Sequence, residues 1–224
     1  MPFDIATPRQ MPPSEDTRKE TERVRRVQDK GAPKYDGQMD FFDRALFKGG
    51  REWACSRAQG RVLEVAVGSG RNLPHHREDV SLTGIELSPE MLKIAKRQAE
   101  ELGREADLRL GDAQALDFPD ASFDSVVCTL ALCTIPDDRA AVAEAYRVLR
   151  PGGRFLLLEH VRSPARAVRA VQRLIEPLSV RFEADHLTRE PLEHLSAVGF
   201  EVEEMERSKW GIVERVAARK PGLV

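Results

Sequence analysis

The stretch VLEVAVGSGRN, residues 62–72, is the segment on which the fold turns. Residues 62–67 are apolar apart from Glu64, and Gly68, Ser69 and Gly70 then interrupt the run ahead of Arg71 and Asn72. That order predicts a buried strand, a tight turn whose glycines let the backbone approach a ligand, and a helix from about Asn72. Loops of this kind often cradle nucleotides, but two common versions fail here. A dinucleotide site wants G-x-G-x-x-G, and the third glycine position counted from Gly68 is Leu73. A P-loop wants Gly-Lys-Ser/Thr, which does not follow. What remains is a loop preceded by an acid, Glu64, which suits a ligand bearing a positive amino group and suits phosphates poorly.

Downstream, strand and helix patterns alternate in short units, the sign of a parallel sheet covered on both faces. SLTGIEL is a second strand, after which Ser88 caps a helix with Pro89 at its first position, and Gly103 ends it. ADLRLGD is a third strand and FDSVVCTLAL holds a fourth. Asp137 or Asp138 caps DDRAAVAEAYRVL, and PGG turns the chain into RFLLLEHV, a fifth strand. A last helix starts near Thr188. FEVEEMER and GIVERVAARK, joined by SKWG, read as an antiparallel C-terminal ribbon. The expected fold is thus α/β, a doubly wound sheet of about seven strands, mostly parallel. Such sheets bind ligands at the strand ends, here the loops after Val67, Glu86, Leu110, Val127 and Glu159.

Residues 1–34 stand apart. Early prolines and then the dense charge of DTRKETERVRRVQDK predict a mobile or helical extension whose short polar helix is closed by Gly31 and Pro33. Residues 35–224 form the globular domain, led by a helix interrupted around Gly49 and Gly50. At 224 residues with 35 basic and 37 acidic side chains, the chain has no global field that would draw it to nucleic acid. The three cysteines, Cys55, Cys128 and Cys133, are too few and too irregular for a disulfide framework or a zinc motif. There is no run of ~20 apolar residues to span a bilayer and no secretory signal pattern, so a soluble, cytoplasmic protein is expected.

Four segments in order, VLEVAVGSG, GIELSPEMLKIAK, GDAQALDFPDASFDSVV and RVLRPGGRFLLLEHV, resemble the class I S-adenosylmethionine-dependent methyltransferases, in the branch of quinone and small-molecule methyltransferases. The resemblance covers about residues 35–219 and implies a Rossmann-like fold with S-adenosylmethionine as cofactor. It assigns Glu64, Gly68 and Gly70 to the methionine end, Glu86 to the ribose hydroxyls and Leu87 to the adenine face. Asp112 would accept from the adenine amino group beside Ala113, and Cys128 and Thr129 would face the methionine moiety. Tyr35 in KYDG is a candidate for the tyrosine that the family often lays over the cofactor. One departure is Ala66, where the family usually has glycine; alanine serves unless φ must be positive.

For the acceptor, CTLALC, LLLEHV and DHLTRE are similar to the thiol S-methyltransferases of the animal endoplasmic reticulum and their bacterial relatives. His160, and Asp185 with His186, are the candidate base and orienting groups; Cys133 reads as a small buried hydrophobe. No metal is expected. The leading function is methyl transfer to a small-molecule acceptor, a thiol first. The alternatives are a phenol, amine, lipid headgroup or quinone, and, in another class, a cofactor-binding regulatory protein without turnover. Arg162, Arg166, Arg169 and Arg173 fall on one helical stripe with Val168, Val171, Ile175 and Leu178 opposite. That stripe fits either a solvated face or contact with an anionic group or lipid surface.

Overall fold

The computed structural model describes residues 14–222. Residues 1–13, part of the expected mobile end, lie outside them. The chain starts with α1 (Glu15–Ala45) and α2 (Gly50–Cys55) and enters the sheet at β1 (Arg61–Val65). There follow β2 (Ser81–Glu86), α3 (Pro89–Glu101), β3 (Asp107–Leu110), β4 (Phe123–Thr129), α4 (Asp138–Val148) and β5 (Leu149–His160). The last part holds α5 (Arg166–Glu183), α6 (Pro191–Val198), β6 (Glu201–Ser208) and β7 (Val213–Arg219). The expected caps hold: Ser88 Oγ accepts from Met91 N and Asp137 caps α4.

The seven strands lie in the order β3-β2-β1-β4-β5-β7-β6. β1 to β5 pair in parallel, and β7 pairs antiparallel to both β5 and β6. The expected Rossmann-like sheet with its C-terminal ribbon is therefore present. Period-two alternation splits the central strands between two cores. Leu63, Val126 and Leu157 pack against Val142, Ala145 and Leu195 on one face. Val62, Val127 and Leu156 pack against Trp53, Leu92 and Ala95 on the other. The order reverses between β1 and β4, so a crevice opens beyond Val65 and Thr129, where this topology places ligands.

Three local expectations are corrected. The glycine turn leads into a single 3-10 turn, Leu73–His75, in place of a helix. Pro74 brings no N–H to a continuing ladder, and His76 leaves the turn in extended geometry, its ring drawn to Glu64. The final helix starts at Pro191 rather than near Thr188. Third, Gly31 and Pro33 do not end the first helix; α1 runs through both without a break. An interior proline costs about 3 kcal/mol. That cost is offset by polar docking of α1 onto the strand ends: Ser88 Oγ donates to Asp29 and Ser69 Oγ to Asp36, each at 2.6 Å. Arg71 adds bonds to Asp40 at 2.7 Å and Asp43 at 3.0 Å.

Candidate functional site

The cofactor half of the crevice is built around carboxylates at successive strand ends. Glu64 on β1 is buried, with Oε1 accepting from Asn72 Nδ2 at 2.9 Å and Oε2 bonded to His76 Nε2 at 2.7 Å. Its first task is inside the fold, where it ties the residues after the glycine loop to the strand. Asn72 also donates to Thr129 Oγ1 at 2.8 Å, and buried Arg51 joins Asn72 Oδ1 and Thr129 Oγ1 to Asp43 on α1. Ala66 sits at φ +56°, the left-handed region, so the condition under which alanine differs from glycine is realised here. Gly70 has no substitute: a Cβ there would come within 2.9 Å of Leu73 Cδ1 and 3.1 Å of the Ala95 backbone.

Glu86 ends β2 with Oε2 accepting from Gly68 N at 2.9 Å and Oε1 from Ser88 N at 2.8 Å. Burial pushes its carboxyl above the usual range, against the pull of those backbone donors. Asp112, after β3, accepts from the backbone and side chain of Gln114, each at 2.9 Å. Glu86, Leu87, Asp112 and Ala113 line one cavity together with Ala66, Ile135 and, from α1, Val24 and Gln28. Cys128 is not among its lining residues: the side chain belongs to the core and lies 3.8 Å from Glu159 Oε1.

The other half of the crevice, which holds the candidate acceptor residues, is assembled from β4, β5 and the turn after α5. His160 Nε2 meets Asp185 Oδ1 at 3.0 Å, and Cys133 lies in the same cluster, with ligand-type atoms of all three within 4.8 Å of one another. A sulfur, a ring nitrogen and a carboxylate oxygen at that spacing are a donor set that a zinc-like ion could use. The cysteine spacing gave no hint of it, because the ligands come from three distant segments. His160 Nδ1 is buried with no partner. Burial opposes protonation of His160, but the hydrogen bond and charge of Asp185, with Glu159 behind, outweigh it and lift the imidazole above its ordinary value. Asp185 is held below the carboxylate range, its burial overcome by His160. His186 donates its backbone N–H to Cys133 O at 3.0 Å, and burial holds its ring below the ordinary value. Its ring lies outside the His160–Asp185 pair, near Arg189 and Glu176.

Glu159, which sequence reasoning passed over, is fully buried beside this pair. Its Oε1 accepts from Ala131 N and Leu132 N at 3.0 Å each, fixing the turn after β4, and burial raises its pKa to about 7. A carboxylate inside LLLEHV, an otherwise apolar strand, was the available signal. Tyr35 lies on α1. Burial raises its phenol's pKa, with the charges of Arg51, Cys133 and Glu86 all within reach.

A family described as a methyltransferase domain matches residues 63–157. A phosphatidylethanolamine N-methyltransferase of Cereibacter sphaeroides is 40% identical over 55% of this chain and 60% of its own length. A human thiol S-methyltransferase is 30% identical over 74% of this chain and 70% of its own. The chain belongs to the S-adenosylmethionine-dependent methyltransferases. In solved structures the same fold appears in a putative methyltransferase from Bacillus halodurans, with a TM-score of 0.66 and 22% identity over 78% of this methyltransferase and 99% of that chain. The first of these relatives is matched over less than two thirds of its length, so shared ancestry does not carry an acceptor with it.

The site fits the family's cofactor. Carboxylates of Glu86 and Asp112 are acceptors for hydroxyl and amino donors, Ile85 and Leu87 offer apolar walls to a flat base, and Gln28 Oε1 is buried there without a partner. The cavity as it stands is ≈ 30 Å³, room for a water or two. Arg51, Asn72, His76 and Gln28 escaped the sequence reading because their partners come from other elements. No described helix of the methyltransferase is long and apolar enough to cross a membrane.

Proposed function

We propose that this methyltransferase transfers the methyl group of S-adenosylmethionine to the sulfur of a small thiol. The observation that carries the reading is the His160–Asp185 pair at 3.0 Å, with the unpartnered Nδ1 of His160 beside it. S-adenosylmethionine, when bound, supplies a methyl group made electrophilic by its positive sulfur. Glu86 would hold its ribose hydroxyls, Asp112 and Gln28 its adenine amino group, and Leu87 the face of the base. The glycine loop, Glu64 and Thr129 would border the methionine end.

The acceptor side needs a mild base and little else. A free thiol has a pKa of about 8.5, so a few per cent is already thiolate at neutral pH. Asp185 Oδ1 lies 3.0 Å from His160 Nε2 as its charge partner, and Nδ1 is the atom offered to the thiol proton. The thiolate so formed would be the nucleophile for the methyl group that the bound cofactor would supply. His160 returns its proton to solvent. Tyr35 and the apolar side chains around Cys133 exclude water, which raises the reactivity of a thiolate facing a cation.

A phospholipid amine is the second reading, suggested by the 40% identical relative and by the exposed apolar face of α5 described below. Release of S-adenosylhomocysteine, measured across alkyl thiols, phenols, amines, quinones and phosphatidylethanolamine, separates them. Turnover with thiols is expected. Turnover of another class without thiol activity overturns the leading acceptor, and cofactor binding with no turnover anywhere indicates a regulatory binding protein.

A further inference from the structure

Helix α5 is built inside out. Its one buried side chain is polar: Gln172 accepts from Ser163 N and donates to Val161 O and Leu187 O, all at 2.9 Å. Its large apolar side chains face solvent instead, Val171, Leu174, Ile175, Leu178 and Phe182 being 46–78% exposed. At 100° per residue these five fall within an arc of about 100°, a continuous stripe. Arg181 lies at the edge of the stripe, while Arg166 and Arg173 lie on the polar face beyond that edge, and none of the three makes an ion pair among the described residues. The expected arginine stripe is corrected at Arg162 alone, which precedes the helix and pairs with Glu190; the apolar side of the helix is also exposed.

The loop after β6 adds to this edge. Ser163 Oγ donates to Trp210 O at 2.6 Å, pinning the loop to the segment that starts α5, and Trp210 is 73% exposed. An outward apolar stripe, a cationic polar face and an exposed tryptophan together form the surface pattern of an interfacial helix.

We propose that α5, with Trp210 at its N-terminal end, docks this methyltransferase on an anionic lipid bilayer. The apolar stripe enters the headgroup boundary, Arg181 at its edge meets lipid phosphates, and Arg166 and Arg173 on the polar face add attraction to the anionic surface. The charge pattern selects this occupant over a second copy of the chain. A matching face brings the same arginines, while of the two acids on α5, Glu176 is already bonded to the Thr188 hydroxyl and backbone. The whole chain carries a net charge of −2, so the cations are local to this face. Three residues past Phe182 the chain reaches Asp185, so the docked surface adjoins the acceptor half of the crevice. Resting on the acceptor reading above, this favours acceptors that partition into lipid.

Co-sedimentation of the full chain with vesicles tests docking without any assay of turnover. Association with phosphatidylcholine vesicles containing phosphatidylglycerol is expected, weakening as salt rises, with a blue shift of Trp210 emission against the already buried Trp53. Leu174→Asp with Leu178→Asp should cut association by about tenfold or more while leaving thermal melting unchanged, since both side chains are exposed. Arg166→Glu with Arg173→Glu should remove the preference for anionic vesicles. No association at low salt overturns the proposal, as does concentration-dependent dimerisation that the double aspartate variant abolishes. Equal binding to neutral vesicles overturns the role of the arginines, and binding without an emission shift removes Trp210 from the surface.

Discussion

On the β1–β3 side of the crevice, Glu64, Gly68, Glu86 and Asp112 each sit at or just past a strand end, and the hydrogen bonds of Glu86 and Asp112 close within a few residues or onto the adjacent glycine loop. On the β4–β5 side, Cys133, His160 and Asp185 come from the turn after one strand, the end of another and the exit of a helix. The first half is a set of local loop geometries placed side by side by the sheet. The second exists only because α5 returns to the strand ends. The β1–β3 side is thus held largely by short-range structure, while the β4–β5 side, where we place the acceptor, is held by long-range packing, which relatives can vary without losing the fold.

Substitutions in the two halves should break this symmetry in opposite ways. The largest effect is expected from His160→Gln and Asp185→Asn, which should lower kcat with a thiol by about 10²–10⁴-fold, the usual contribution of a positioned base. Calorimetric affinity for S-adenosylmethionine should stay unchanged, and a kcat that also stays unchanged would remove the base assignment.

Next in size is the pH dependence carried by Glu159. Its carboxyl rises from the ordinary 4.5 to about 7 in the folded chain. Folding therefore favours its protonated form, and the associated stability is present below pH 4.5 and lost as pH climbs to about 7. At 1.36 kcal/mol per pH unit the loss is about 3 kcal/mol. His160, also raised, loses stability in the same direction above its ordinary 6.5, whereas lowered Asp185 contributes stability above about 3.8. Urea unfolding of wild type and Glu159→Gln at pH 5 and pH 7.5 isolates the Glu159 part, since the amide still accepts from Ala131 and Leu132. A wild type whose stability falls no more than the variant's between the two pH values would count against the buried carboxyl.

On the cofactor side, Glu86→Ala should weaken S-adenosylmethionine by about 10–100-fold, the range for a lost charge-assisted hydrogen-bond acceptor, with little change in the ratio of thiol to phenol turnover. Unchanged calorimetric affinity would sink the ribose contact. The smallest effect is expected at Ala66. Its left-handed backbone costs an alanine about 1–2 kcal/mol, partly offset by its lower unfolded-state entropy. Ala66→Gly should therefore raise the melting temperature by a few degrees, and a lower one would mean that the loop tolerates φ +56° without strain.

The sheet, its C-terminal ribbon, the caps at Ser88 and Asp137 and the strand-end positions of Glu86 and Asp112 were legible in the sequence, because period-two burial and capping chemistry act over a few residues. The continuity of α1 through Pro33 was not, since the bonds that compensate the proline come from Ser69, Arg71 and Ser88. The 3-10 turn after Gly70 was missed for the same reason: His76 is drawn to Glu64 rather than to a helical neighbour. Glu159 and Cys133 looked like a strand residue and a core cysteine, and both are, but only packing sets them against His160 and Asp185.

By itself, then, the sequence determined an α/β sheet with a glycine loop and acids at successive strand ends, because those features are local and repeat along the chain, and the resemblance of four such segments to a known family named the cofactor. Tertiary structure alone decided that His160 meets Asp185, that Arg51 and Asn72 lock Thr129, and that the apolar side of α5 faces outward. Each depends on segments distant in sequence finding one another, and helical periodicity says that α5 has an apolar side without saying whether protein or solvent lies against it.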